Sequence, residues 1–236
     1  MRNVKITCDS TCDLSPELYA RYDVSVIPLC ISLGERLCRD GMDVTPEELF
    51  SYVEETGQLP TTSAISVGEY TDFFQSFLNQ GFEIVHINLS SGISSSYQNA
   101  CIAAQELGNV RVVDSRSLST GSGLLVILAA ELACAGYDGA HIAKALEERK
   151  GHLDVSFVLQ TLDYLHKGGR CNGIARLGAN MLKLRPEIVM DNGTLFRCCV
   201  DSAAQGMDLV SDVLSGSVSP GGVLPFPVGR PDLFHH

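Results

Sequence analysis

The feature that most constrains the fold of this chain is the alternation of short apolar runs with longer helical segments. Val4 to Cys8, Glu83 to Leu89 and Val110 to Val113 are apolar runs of strand length, and each precedes a segment with helical character. Strands separated by helices of about ten or more residues are typical of parallel β-α-β units. We therefore predict an α/β fold with a parallel, doubly wound sheet and helices on both of its faces.

Capping residues mark where several helices begin. Ser15-Pro16 and Thr45-Pro46 each place an N-cap hydroxyl before a proline that suits the first helical position. Ser66 and Glu69 have the spacing of a capping box. The helices predicted further along the chain are Ser95 to Leu107, Thr120 to Ala135 and Ala140 to Lys150.

Beyond the predicted helices the pattern changes and indicates a second, smaller α/β domain. Val155 to Leu159 has the character of a strand, Ile174 to Leu184 that of a helix, and Asp191-Asn192-Gly193 that of a hairpin turn. We expect an N-terminal domain over residues 1–151 and a C-terminal domain over residues 152–236. Residues 217–236 hold four prolines and three glycines, which predicts an irregular tail.

Composition excludes several functional classes. The net charge of −11 argues against nucleic acid and anionic membranes as partners, because both favour a basic face. No apolar run reaches transmembrane length, so no stable membrane insertion is expected. Nine cysteines without a C-x-x-C pair indicate a reducing cytoplasm, with Cys8 and Cys12 as buried thiols rather than metal ligands.

Hydroxyl groups cluster where the predicted strands end. Asp9-Ser10-Thr11 and Asp114-Ser115 follow apolar runs, Ser90 to Ser96 holds five serines, and Pro60 to Ser63 is predicted as a similar loop before its helix. Ligands of open parallel sheets bind beyond the carboxyl ends of the strands. Hydroxyls beside helix N-termini suit an anion such as a carboxylate or phosphate. The alternative for any single hydroxyl is an N-cap, but five serines exceed what a cap needs.

Motifs for catalysis are incomplete in this chain. Gly92 to Ser96 lacks the second glycine of a nucleophile elbow, no histidine is tied to Ser94 by a motif, and no P-loop occurs. We expect a protein that holds its ligand without transforming it. The alternative is an enzyme acting on a small phosphorylated or acyl substrate with Asp9 or Asp114 as base. Otherwise these aspartates are expected to accept hydrogen bonds from loop N–H groups.

Five motifs in order resemble the DegV-like bacterial fatty-acid-binding proteins. They cover about Met1 to Met190, and the resemblance implies a two-domain α/β protein with a long-chain fatty acid between the domains. The motifs are Asp9-Ser10-Thr11, Pro60-Thr61-Thr62-Ser63, Leu89-Ser90-Ser91-Gly92-Ile93-Ser94 followed by Tyr97, Val113-Asp114-Ser115, and Leu165-His166-Lys167-Gly168-Gly169-Arg170.

The resemblance also implies roles for particular residues. The carboxylate would be held by Thr62 of the P-x-T-S motif and Ser94 of the S-S-x-x-S motif, with Ser63 and Ser95 beside them. Arg170 of the G-G-R motif would lie near the head group or the domain junction, where an ion pair is its alternative role. The ligand would be the fatty acid, with no further cofactor. A separate fatty acid kinase subunit is the implied partner, and would phosphorylate the bound acid for lipid synthesis.

This chain departs from the family pattern at several positions. Ala64 replaces a common Gln, and Ser95 replaces a common Gly. Family members are expected to continue past residue 236 with a Gly-rich segment that carries a His near the carboxylate, so the C-terminal domain is expected to be incomplete relative to the family. Residues 198–202 lack the basic residues implicated in kinase docking. A degenerate member of the family that binds no lipid is therefore a further alternative.

Overall fold

A four-stranded parallel sheet forms the centre of the computed structural model, which describes residues 3–159, 165, 167–169 and 187–198. The ten strands are β1 Val4–Asp9, β2 Ser25–Ile27, β3 Cys30–Leu33, β4 Arg36–Arg39, β5 Thr61–Ser63, β6 Glu83–Asn88, β7 Val110–Asp114, β8 Ser156–Val158, β9 Glu187–Asp191 and β10 Thr194–Cys198. The parallel sheet has the order β2-β1-β6-β7, and all of its pairs are parallel. The prediction of a doubly wound parallel sheet is confirmed.

Six α-helices lie within the described ranges; the first three begin where the capping residues predicted, and the other three begin one residue away from their predicted starts. The helices are α1 Pro16–Arg21, α2 Pro46–Thr56, α3 Val67–Leu78, α4 Ser96–Leu107, α5 Ser119–Cys134 and α6 Gly139–Arg149. Thr45 and Ser66 each form a complete capping box, with Glu48 and Glu69 respectively. None of these helices has both the length and the apolar character that a membrane crossing requires.

Apolar layers cover both faces of the parallel sheet, as predicted. On one face Val85 and Ile87 of β6 pack with α5 and α6, and on the other Ile84 packs with Tyr70 and Phe74 of α3. Residues with i, i+2 spacing in a strand share a face, so His86 and Asn88 lie on the same side as Ile84. The polar end of β6 therefore lies under α3 and α4.

A second, antiparallel sheet with the order β4-β3-β5 lies outside the parallel one. The apolar run from Val24 to Leu33 is therefore two strands in different sheets, with Pro28 between β2 and β3. Proline has no N–H for a sheet ladder, which explains the break at this position. The prediction that Pro60 to Ser63 is a loop is also wrong, because Thr61–Ser63 is β5, paired with Cys30–Ser32.

The C-terminal part of the description is a third sheet with the order β10-β9-β8. Asn192 and Gly193 form the predicted hairpin turn between β9 and β10, and both have positive φ. The predicted helix over residues 174–184 and the predicted irregular tail from residue 217 lie outside the described residues.

Candidate functional site

The candidate site lies at the carboxyl edge of the parallel sheet, where two aspartates end their strands. Asp9 is fully buried, and its carboxylate accepts the N–H of Leu89 at 2.6 Å and that of Thr11 at 3.0 Å. Burial raises the pKa of Asp9, while these hydrogen bonds act in the opposite direction. Asp9 therefore fixes the start of the serine loop, which we define as residues 90–95.

Asp114 fixes the same loop from β7. Its carboxylate accepts the N–H of Ser91 at 3.2 Å, the hydroxyl of Ser91 at 2.5 Å and the N–H of Arg116 at 3.0 Å. The expectation that both aspartates accept loop N–H groups is confirmed. Because these carboxylates are occupied by loop donors, the contacts favour a structural role over that of a catalytic base.

Ser94 and Ser95 have different environments within the serine loop. Ser94 is half-buried, and its oxygen lies 3.0 Å from the hydroxyl of Ser96 and accepts the N–H of Ser96 at 3.2 Å. Ser95 is exposed and its side chain makes no capping hydrogen bond, and α4 begins at Ser96, one residue later than predicted. Within the described residues, the N–H groups of Tyr97 and Gln98 have no hydrogen-bond partner.

Thr62 and Ser63 lie on β5, and both are exposed. Their hydroxyls have no hydrogen-bond partner in the described part of the chain. Thr62 stands opposite Ile31 in the antiparallel pair, so its side chain shares a face with Ile31. Position 62 therefore offers a free hydroxyl at the edge of the small sheet.

Two hydrogen bonds join the chain after β5 to the start of α4. The N–H of Ile65 donates to the hydroxyl of Ser96 at 3.3 Å, and the side-chain amide of Asn99 donates to the carbonyl of Ile65 at 2.7 Å. Thr62 is three residues before Ile65, and Ser94 is two residues before Ser96. The structure thus brings together the two segments that carry the predicted head-group residues. Arg170 lies outside the described residues.

The β9–β10 hairpin contacts the serine loop, although no sequence motif predicts this contact. The buried hydroxyl of Ser90 donates to the carbonyl of Gly193 at 2.6 Å. A Cβ added at Gly92 would clash with the same carbonyl oxygen of Gly193. The added Cβ would also lie only 3.0 Å from the methyl group of Thr194. No local pattern signals a contact between residues so far apart, although the glycines at 92 and 193 are consistent with close backbone approach.

Buried thiols and histidine in this region behave as core residues. Cys8 and Cys12 are free and buried, and the neighbouring Cys8 together with burial raises the pKa of Cys12. His86 is fully buried, and burial lowers its pKa to about 3. In the ranges that the structure describes, no group of three or more His, Cys, Asp or Glu residues is arranged to hold a metal ion.

Sheet order, flanking helices and loop chemistry define a doubly wound α/β protein with a polar edge. The family model described as "Uncharacterised protein, DegV family" matches residues 3–198, so the chain belongs to the DegV family. A DegV domain-containing protein of Clostridium perfringens is 34% identical over 172 residues, which are 72% of this chain. That alignment spans 62% of the relative's own length.

Solved structures also resemble the chain over most of its length. A protein described as a fatty-acid-binding DegV family member from Thermus thermophilus matches with a TM-score of 0.83 and 28% identity, covering 93% of this chain and 79% of that one. A stearic-acid-binding protein from Eubacterium ventriosum matches with a TM-score of 0.80 and 29% identity, covering 92% and 76%. The descriptions of these two solved structures name fatty-acid binding and stearic-acid binding, respectively.

Proposed function

We propose that this chain binds a long-chain fatty acid, with the carboxylate held by the hydroxyls of Thr62 and Ser94. The descriptions of the solved relatives as fatty-acid-binding proteins support the ligand class. The observation that carries the head-group assignment is a set of hydrogen-bond donors without partners in the described residues. They lie on the two segments that the hydrogen bonds of Ile65 join, β5 and the start of α4. These donors are the hydroxyls of Thr62, Ser63 and Ser95 and the N–H groups at the start of α4.

The energetics of such binding require donors at the head group. Burying an acyl chain contributes roughly 0.8 kcal/mol per methylene, so about sixteen carbons contribute on the order of 12 kcal/mol before binding costs are subtracted. An unpaired buried carboxylate would cancel much of this gain. Hydrogen bonds to a charged acceptor contribute about 1.5–3 kcal/mol each, so two hydroxyls and the N-terminus of α4 offset a substantial part of the desolvation.

The wider arrangement is part of the same proposal. The acyl chain would lie between an N-terminal domain of residues 1–151 and a C-terminal domain of residues 152–236, with Arg170 near the head group or the junction. The protein would act in the cytoplasm and present the acid to a fatty acid kinase subunit. Formation of acyl phosphate only when kinase, ATP and the loaded protein are combined would support this partner, and formation without the protein would contradict it.

Lipid extraction followed by mass spectrometry tests the binding site. Purified protein is expected to carry a long-chain fatty acid. The double variant Thr62→Ala with Ser94→Ala should lose most of that load, because each lost charged hydrogen bond weakens binding by roughly 10- to 100-fold. Thr71→Ala with Ser76→Ala is a matched control, since these hydroxyls donate to carbonyls within α3. A double variant at 62 and 94 that carries as much lipid as this control would refute the assignment.

A further inference from the structure

Two neighbouring residues at the end of β1 hold the two segments that carry the predicted head-group residues. In the parallel sheet, β1 lies between β2 and β6. Asp9, the last residue of β1, accepts the N–H of Leu89 at 2.6 Å on the β6 side. The hydroxyl of Ser10 accepts the N–H of Leu29 at 3.1 Å on the β2 side. The end of β1 therefore bonds both neighbouring chains just after they leave the sheet.

On the β6 side, the bond from Asp9 fixes the backbone that leads to Ser94. The carbonyl of Ser90, the residue after Leu89, accepts the N–H of Ile93 at 3.1 Å and that of Ser94 at 3.2 Å. The chain therefore makes one tight turn between the N–H that Asp9 holds and Ser94. This path consists of backbone hydrogen bonds and one buried carboxylate, so the position of Ser94 depends on the end of β1.

On the β2 side, Ser10 holds both ends of the hairpin formed by β3 and β4. Leu29 directly precedes β3, and Asp40 directly follows β4. The hydroxyl of Ser10 donates to the carboxylate of Asp40 at 2.7 Å, and the N–H of Asp40 donates to the carbonyl of Leu29 at 2.9 Å. Two residues after Leu29, Ile31 stands opposite Thr62 in the antiparallel pair of β3 and β5. The position of Thr62 therefore also depends on the end of β1.

The hydroxyl of Ser10 has no helix-capping role that would explain these bonds. The N-cap of the short turn after β1 is Asp9, and that of α1 is Ser15. Ser10 instead bonds residues that lie 19 and 30 positions away in the chain. The directions of its two bonds are settled, because a backbone N–H only donates and an ionised carboxylate only accepts. A bond to a charged acceptor is also stronger than one between neutral groups.

We propose that Ser10 and Asp40 are positioning residues, which hold Thr62 at the distance from Ser94 that lets both hydroxyls bond one carboxylate. This inference rests on the proposed function, because it needs the two hydroxyls to share a ligand. Thr62 and Ser94 come from different sheets, and Asp9 and Ser10 tie both to the same strand end. Donors that are already in place lose less conformational freedom when the ligand binds. Ser10 and Asp40 thus raise the affinity without touching the ligand.

A double-mutant cycle tests this role, because a positioning residue acts only through the group that it positions. Stearate affinity is measured by titration calorimetry on delipidated protein. We expect Ser10→Ala to weaken stearate binding by about three- to tenfold. In a Thr62→Ala background the same substitution should change the affinity by less than about twofold, since no hydroxyl is left to position. Asp40→Ala should match Ser10→Ala, and Asp40→Asn should recover most of that loss, because its amide oxygen can accept the Ser10 hydroxyl.

Ser15→Ala is the control, since its exposed hydroxyl lies in the same connection after β1 and accepts only the N–H of Leu18 in α1. This variant should bind stearate as the unsubstituted protein does. Equal losses from Ser10→Ala with and without the Thr62 hydroxyl would overturn the proposal. If Ser10→Ala does not fold, Asp40→Ala and Asp40→Asn are compared in both backgrounds.

The single variants distinguish this inference from the proposed function. Weaker stearate binding in Thr62→Ala together with unchanged binding in Ser10→Ala would refute the positioning role and leave the proposed function standing. Unchanged binding in both Thr62→Ala and Ser94→Ala would refute the head-group assignment and the positioning role with it.

Discussion

Substitution of Gly92 by alanine should separate the serine loop from the β9–β10 hairpin. An added Cβ would press on the carbonyl oxygen of Gly193, and a carbon needs about 3.5 Å to such an atom. The carbonyl must therefore retreat by about 1 Å. Gly92 has no positive φ, so the effect comes from this contact and not from backbone strain.

The retreat breaks a buried hydrogen bond at the same carbonyl. Ser90 donates to Gly193 at 2.6 Å, and an added shift of about 1 Å lengthens this distance beyond the range of an O–H···O bond. Both groups are buried, so the loss costs about 1–3 kcal/mol. For a chain of this length each kcal/mol corresponds to about 2–4 °C in melting temperature, which predicts a fall of roughly 3–10 °C.

Urea titration and thermal melting of lipid-free protein measure this difference. Gly68→Ala is the matched control, because a Cβ at position 68 in α3 meets no atom within 4 Å. That control should be neutral or stabilising by up to about 1 kcal/mol, from helix propensity. If Gly92→Ala unfolds at the same urea concentration and temperature as Gly68→Ala, the contact with the hairpin contributes no stability and our reasoning is wrong.

Two further predictions concern the stability of the N-terminal sheet and its helices. The pKa of His86 is lowered from 6.5 to about 3, so between these pH values the unfolded chain binds a proton that the folded protein does not. The free energy of unfolding should fall as pH drops through this window, by at most about 1.4 kcal/mol per pH unit. The fall should be shallower in His86→Gln. Urea midpoints that change with pH in the same way in His86→Gln and in the unsubstituted protein would contradict this. Ser66→Ala removes the N-cap of α3 and should lower the free energy of unfolding, measured in urea, by about 1 kcal/mol. Ser76→Ala in the same helix is the control and should lower it little. Equal losses in the two variants would show that the cap is not the cause.

Much of the fold follows from local sequence signals. The strands β1, β6 and β7 each carry three apolar residues, and the helical segments between them indicate a parallel sheet. The capping boxes at Thr45 and Ser66 specify helix starts through contacts within three residues, so the sequence alone predicts them. The polar ends of the strands also identify the sheet edge at which the candidate site lies.

Local sequence signals do not predict which distant segments pair. Thr61–Ser63 has the composition of a loop, and it becomes a strand because Cys30–Ser32 offers a free edge. The break at Pro28 sends one apolar run into two sheets. In the same way, only the packing of α3 over β6 brings the hydroxyl of Tyr70 to the amide of Asn88. These contacts depend on tertiary geometry, which overrides segment composition.

The two fixed carboxylates explain why the candidate site depends on hydroxyl groups. Asp9 and Asp114 accept the N–H groups of Leu89 and Ser91, so these donors are not available to a ligand. They also add negative charge beneath the serine loop, which opposes a carboxylate guest. Under the proposed function, the remaining attraction comes from the N-terminus of α4 and from neutral hydroxyls. A neutral hydroxyl attracts an anion only when its proton faces it, so under the proposed function the hydroxyl of Ser94 must point its proton toward the bound carboxylate.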